Sequence, residues 1–107
     1  MTNEAFYDAE IAPKLLEIAK ACEDRGMSFV ALVEYASGET GETCTLAPRD
    51  VRSIKPEIAY WGVRCRGNID AFMMAAEKHA REFGHSSLYL SIRGIPTTPA
   101  PQKEGGR

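Results

Sequence analysis

Few residues of this chain have side chains suited to covalent or acid–base chemistry, and they are scattered. His79 and His85 are its two histidines, the side-chain type whose charge changes near neutral pH. With Cys65 they supply the residue types of a thiol nucleophile and its base. With Cys65 or Asp70 they supply the types of a zinc ligand set. Spacing supports neither reading. His79 lies in a helical pattern and His85 just beyond it, so a surface histidine and a helix-terminal histidine explain the pair more simply. The cysteines, Cys22, Cys44 and Cys65, are odd in number and far apart, with no C-x-x-C. They read as reduced thiols serving as small apolar side chains. The segment Ser37 to Gly41 has two glycines but lacks the lysine of a phosphate loop. No catalytic residue, metal ligand or cofactor is expected.

Charge layout says more. Residues 1–48 hold three basic side chains against nine carboxylates, a balance of −6, and residues 49–107 hold ten against six, a balance of +4. The basic centre runs from Arg49 to Arg66. It holds Arg49, Arg52, Lys55, Arg64 and Arg66, with Tyr60 and Trp61 between them. Cations interleaved with aromatics suit phosphates and stacked bases, or an acidic protein surface. The plainer reading is a solvated face complementing the acidic first helix of the same or a neighbouring subunit. A helix-turn-helix around Gly67 is disfavoured, because Asp70 would repel phosphate at the start of its second helix.

The elements that position these residues follow from periodicity. Ile11, Leu15, Ile18 and Cys22 form a helical stripe. Pro13 is tolerated only in a first turn, so the regular helix is expected to start near Ala12, with a looser or kinked turn before it around Phe6. Gly26 offers its left-handed stop. Ser28 to Tyr35 is almost continuously apolar, like a strand covered on both faces. Ala36 to Glu42 reads as a polar turn, and Thr43 to Ala47 as the returning strand of a hairpin. Pro56 to Arg66 is ambiguous between helix and strand. Helix is favoured because Gly67 can stop it and Asn68 can cap another. Ile69, Phe72, Met73, Ala76, Ala80 and Phe83 give the clearest amphipathic helix, with a Glu77–Arg81 pair on its polar side. Leu88, Leu90 and Ile92 alternate with Tyr89 and Ser91 like a short last strand.

The fold class expected is α+β: a small antiparallel sheet, a hairpin plus a third strand, against two or three helices in the order αββααβ. A chain of 107 residues suits one domain. That domain is placed at 1–94, with a Pro/Gly-rich flexible tail over 95–107. So small a core makes a homodimer a reasonable way to cover leftover apolar surface. No apolar run nears the roughly 18 residues needed to span a bilayer. No secretory signal opens the chain, so no membrane role and a cytoplasmic location are expected.

At Gly67-Asn68-Ile69-Asp70, at Phe83-Gly84-His85-Ser86-Ser87 and at Gly94-Ile95-Pro96-Thr97 the chain resembles small uncharacterised proteins of tailed phages and prophages of Gram-negative bacteria. The similarity extends to the Phe29–Tyr35 strand. It implies a phage-associated protein in the cytoplasm of a bacterial host, and it supplies no activity or site residue.

Three functions follow in order. The first is a non-enzymatic accessory protein that binds a host or phage macromolecule, as inhibitor, regulator or counter-defence factor, with a protein partner ranked first. Arg49, Arg52, Lys55, Tyr60, Trp61, Arg64 and Arg66 are its expected contacts. The second is nucleic-acid binding through the same 49–66 region. The third is a small-ligand binder or enzyme using His79, His85 and Cys65.

Overall fold

The computed structural model describes residues 1–99. The chain forms two compact units, Met1–Arg64 and Cys65–Arg107. The architecture is α+β, with one two-stranded antiparallel sheet among the described residues.

The first unit opens with a short helix, α1 (Asn3–Phe6), a π-helical turn over Tyr7–Ile11, and α2 (Ala12–Asp24). Pro13 explains the π turn. It has no N–H to donate, and its ring would crowd the carbonyl four residues back. The helix widens just before it, and the Ala12 N–H reaches the Tyr7 carbonyl five residues away. The widening also re-aims a side chain. In an unbroken helix Tyr7 would sit about 120° around the axis from Ala19. One extra residue in the turn reduces the offset to about 20°. Tyr7 and Ala19 are accordingly both buried. The buried line of α2 thus runs through Ala19 with Leu15 and Cys22 beside it, whereas Ile18 of the expected stripe is exposed.

Gly26 ends α2 as expected. Its N–H donates to the Glu23 carbonyl at 3.1 Å and the Met27 N–H to the Cys22 carbonyl at 2.8 Å. This is the paired Schellman closure, which needs the left-handed backbone that Gly26 adopts at φ +70°.

The hairpin follows, β1 (Phe29–Ala36) and β2 (Glu39–Thr45), with Phe29 opposite Thr45 and Val33 opposite Gly41. The turn is tighter than the polar run suggests. Ser37 and Gly38 alone make it, and Glu39 to Glu42 belong to β2. The Glu34 carboxylate holds the turn by accepting the Gly38 N–H at 3.0 Å. The expectation that β1 is covered on both faces is corrected: Leu32 and Glu34 are exposed while Ala31, Val33 and Tyr35 are half-buried. α2 packs on both strands, and α1 and α3 pack on β1. The ambiguous segment is helical, α3 (Ile54–Arg64).

The second unit contains α4 (Ile69–Phe83), capped by the Asn68 side chain, which accepts the Ala71 N–H at 2.9 Å. Its buried centre is Ala80, and both ends of the expected stripe, Ile69 and Phe83, are exposed. Glu77 lies 3.9 Å from Arg93, a partner that the i,i+4 rule does not supply.

The expected third strand is corrected. Leu88–Ile92 is a helix, α5. Ser87 caps it by accepting the Leu90 N–H at 3.1 Å. It closes like α2: Gly94, at φ +87°, donates to the Ser91 carbonyl and Ile95 to the Leu90 carbonyl. That closure draws Ile95 inward to 3 % exposure. The Pro/Gly-rich tail was expected from 95. Its first residues are tied down here, with Thr97 accepting the His85 N–H at 3.0 Å, and its part beyond 99 lies outside the described residues.

Candidate binding surface

The connector from Ala47 to Ser53 is fixed by one buried ion pair. Glu57, in the first turn of α3, is 7 % exposed. The Arg52 Nε donates to its Oε1 at 2.6 Å, and a second guanidinium nitrogen reaches the same oxygen at 2.6 Å. The Arg52 Nη1 donates to the Ala47 carbonyl at 2.6 Å. One guanidinium therefore ties the end of the hairpin to the start of a helix. The Ala47 N–H, in turn, donates to Ser28 Oγ at 2.9 Å.

This disperses the expected contact residues. Arg52 is an internal clasp. Tyr60 and Trp61 are half-buried. The Arg64 guanidinium lies over the Tyr60 ring, 5.9 Å from its centroid. Arg49, Lys55 and Arg64 are exposed. Arg66, exposed and at φ +54°, belongs to the second unit. The outward side of α3 is apolar as well as cationic. Ile54 and Ile58, one turn apart, are 44 % and 46 % exposed, and Val51 just before them is 67 % exposed. Reading the cations alone missed these three. Their signal is the four-residue spacing of Ile54 and Ile58 on the side away from the buried Glu57 and Val63.

In the second unit the His79 ring packs on Phe83 at 4.7 Å between centroids. Both ring nitrogens of His85 are occupied. The Ser87 N–H can only donate, so Nδ1 accepts it at 2.9 Å, and Nε2 carries the proton and donates to the Ile95 carbonyl at 2.9 Å. His85 is a bracket closing the loop onto Ile95. Cys65 is half-buried, and its carbonyl accepts the Asn68 N–H ahead of α4. Among the described residues no group of three His, Cys, Asp or Glu side chains could hold a metal ion, and no helix is long and apolar enough to cross a membrane.

A second cluster lies where the π turn meets the hairpin. The Tyr7 and Tyr35 rings are 5.3 Å apart at an interplanar angle of 31°. Tyr7 fits there because Gly41 has no side chain; a Cβ at Gly41 would overlap its ring. Tyr35 sits at the irregularity in β1 between Glu34 and Ala36. Its phenol pKa is raised from the usual value, first by burial, then by the charges of Glu4, Glu39 and Asp8, and by Tyr7. No family model, curated protein or solved structure matches the chain.

Proposed function

We propose that the protein acts by binding, as a non-enzymatic phage-type accessory factor in the cytoplasm of a bacterial host. Its target is a macromolecule, a protein before a nucleic acid, and its effect is inhibition or regulation such as counter-defence. The observation that carries this reading is the outward side of α3. Val51, Ile54 and Ile58 expose apolar surface, and the exposed cations Arg49 and Lys55 fall in the same stretch of chain. An apolar centre with a charged rim is the make-up of a protein-binding patch.

Capture from bacterial lysate by the full chain and by an Ile54→Ser, Lys55→Glu, Ile58→Ser variant tests it. These side chains are exposed, so the variant is expected to fold. Loss of the enriched protein with the variant is the expected result. Equal enrichment by both chains would remove α3 from the interface. A second copy as the captured partner would make the protein a homodimer.

Nucleic acid ranks second on one observation, the closeness of the Arg64 cation and the Tyr60 ring, side-chain types that single-strand binders use for phosphate contact and base stacking. It predicts affinity that falls steeply with salt. Absence of binding to single- and double-stranded oligonucleotides at low salt ends it. The small-ligand or enzyme reading draws no support from His85, whose nitrogens are both engaged.

A further inference from the structure

We propose that the tyrosine pair Tyr7 and Tyr35, ringed by Glu4, Asp8 and Glu39, is a receptor for a cationic side chain of a partner polypeptide, arginine before lysine. The proposal rests on the binding reading above and names a partner chemistry at a different surface.

The placement follows from the backbone. Glu4 lies one helical turn before Tyr7, and Asp8 directly follows it. On β2, Glu39 and Gly41 are two residues apart, so they project to the same face of the strand. Tyr7 covers Gly41 on that face, and Glu39 pairs with Ala36, the neighbour of Tyr35. All three carboxylates are exposed. None of the three forms a salt bridge among the described residues.

Tyr7 gives the independent sign of a ligand. The residue is only 6 % exposed, yet no hydrogen bond to its hydroxyl is present among the described residues. Every side-chain oxygen or nitrogen sealed from water there has a partner. The Tyr7 oxygen therefore opens to solvent at this spot while its ring is packed away. The half-buried ring of Tyr35, the Tyr7 hydroxyl and three carboxylates together favour a cation that can stack and donate several hydrogen bonds. A guanidinium does both, because its planar fork lies on a ring and reaches a carboxylate at once. The phenol pKa of Tyr35 is raised first by burial, and the nearby carboxylates of Glu4, Glu39 and Asp8 add to that rise. Residues 1–48, which contain the whole site, carry a balance of −6.

The test titrates the full chain with the end-capped peptide Gly-Arg-Gly-Arg-Gly, following backbone amide resonances. The same peptide with citrulline for arginine, isosteric and uncharged, is the control. Arginine amide alone separates a polypeptide partner from a free small cation. The expected result is saturable shifts at Tyr7, Tyr35 and Gly41, with no binding of the citrulline peptide and weaker binding of arginine amide. Glu4→Gln, Asp8→Asn and Glu39→Gln together keep side-chain size and should weaken the peptide about tenfold or more, by loss of charge-assisted contacts. Tyr35→Leu should weaken it and Tyr35→Phe retain most of it, since the ring face carries the attraction. Unchanged affinity in the triple variant, shifts confined to other residues, or equal binding of arginine amide would overturn the proposal. That failure is distinct from failure of the α3 reading, because no residue is shared between the two variants.

Discussion

Arg52 and Glu57 meet at 2.6 Å across the start of α3, and the same guanidinium closes on the Ala47 carbonyl. A residue that the basic 49–66 segment offers as a surface contact is therefore spent on holding the connector in place. The charge of a segment does not reveal which of its cations faces solvent. Arg52 and Glu57 are five positions apart, and the fold, not the helix rule, brings them together.

Removing one partner should expose the cost of a buried charge. Glu57→Ala is expected to destabilise the first unit by about 3–5 kcal/mol, because Arg52 is left uncompensated. Replacing both residues, Arg52→Met with Glu57→Leu, should cost much less than the two single changes combined. Urea unfolding of the four proteins in the cycle measures this. Equal, additive losses would show that the pair is not coupled.

Tyr35 predicts a pH response at the alkaline end. Its pKa is raised above 10.0, by burial and by the carboxylates of Glu4, Glu39 and Asp8. The folded state holds this proton more tightly than the unfolded state does. The resulting stability is fully present below pH 10.0 and is lost as pH rises through the folded-state pKa. Phenolate absorbance should show the Tyr35 step above the ordinary tyrosine value. Tyr35→Phe should remove that step and flatten the alkaline decline in stability.

α5 supplies a test at Ser87 and Gly94. Ser87→Ala removes the side-chain cap and should cost about 0.5–2 kcal/mol. Gly94→Val forces a branched side chain into φ +87° and should cost more, releasing Ile95 from its closure. Amide exchange at Leu90 and Ile95 reads both effects. Fast exchange at these two amides in the unmutated chain would contradict the closure.

How much of this was legible in the sequence depends on which signal each element carried. α2, α4 and the hairpin announced themselves through period, cap and stop: Gly26 and Asn68 stand where the rules place them, while the hairpin turn proved shorter than the polar run from Ala36 to Glu42. Pro13 correctly marked a disturbed turn, though not its π form. α5 misled because five residues alternating apolar and polar fit a strand as well as a short helix. The deciding signals were Ser87 before the run and Gly94 after it, the same kind of stop that identified the end of α2. Ile18 and Ala19 show a different limit. A stripe drawn by size alone favours Ile18, but the buried side of α2 runs through the small Ala19 and leaves Ile18 exposed. The Tyr7–Tyr35 site carried no local signal, since the π turn, the irregularity in β1 and Gly41 lie far apart in the chain.

Gly41 offers the sharpest check on that site. Its missing side chain is what admits the Tyr7 ring, as any Cβ there would overlap the ring. Gly41→Ala should therefore destabilise the chain by about 1–3 kcal/mol, as overpacking does, although alanine is otherwise better suited to a strand than glycine. Tyr7→Phe should change stability little, within about 0.5 kcal/mol, because the hydroxyl forms no bond in the fold. Tyr7→Ala should cost more, about 3–5 kcal/mol, through the cavity it leaves. In the double variant Gly41→Ala with Tyr7→Ala the added methyl has nothing to overlap, so the two costs should fall well short of additivity. Denaturant midpoints of these variants decide the matter. Full additivity would place the Tyr7 ring away from Gly41, and the tyrosine pair would no longer form one site.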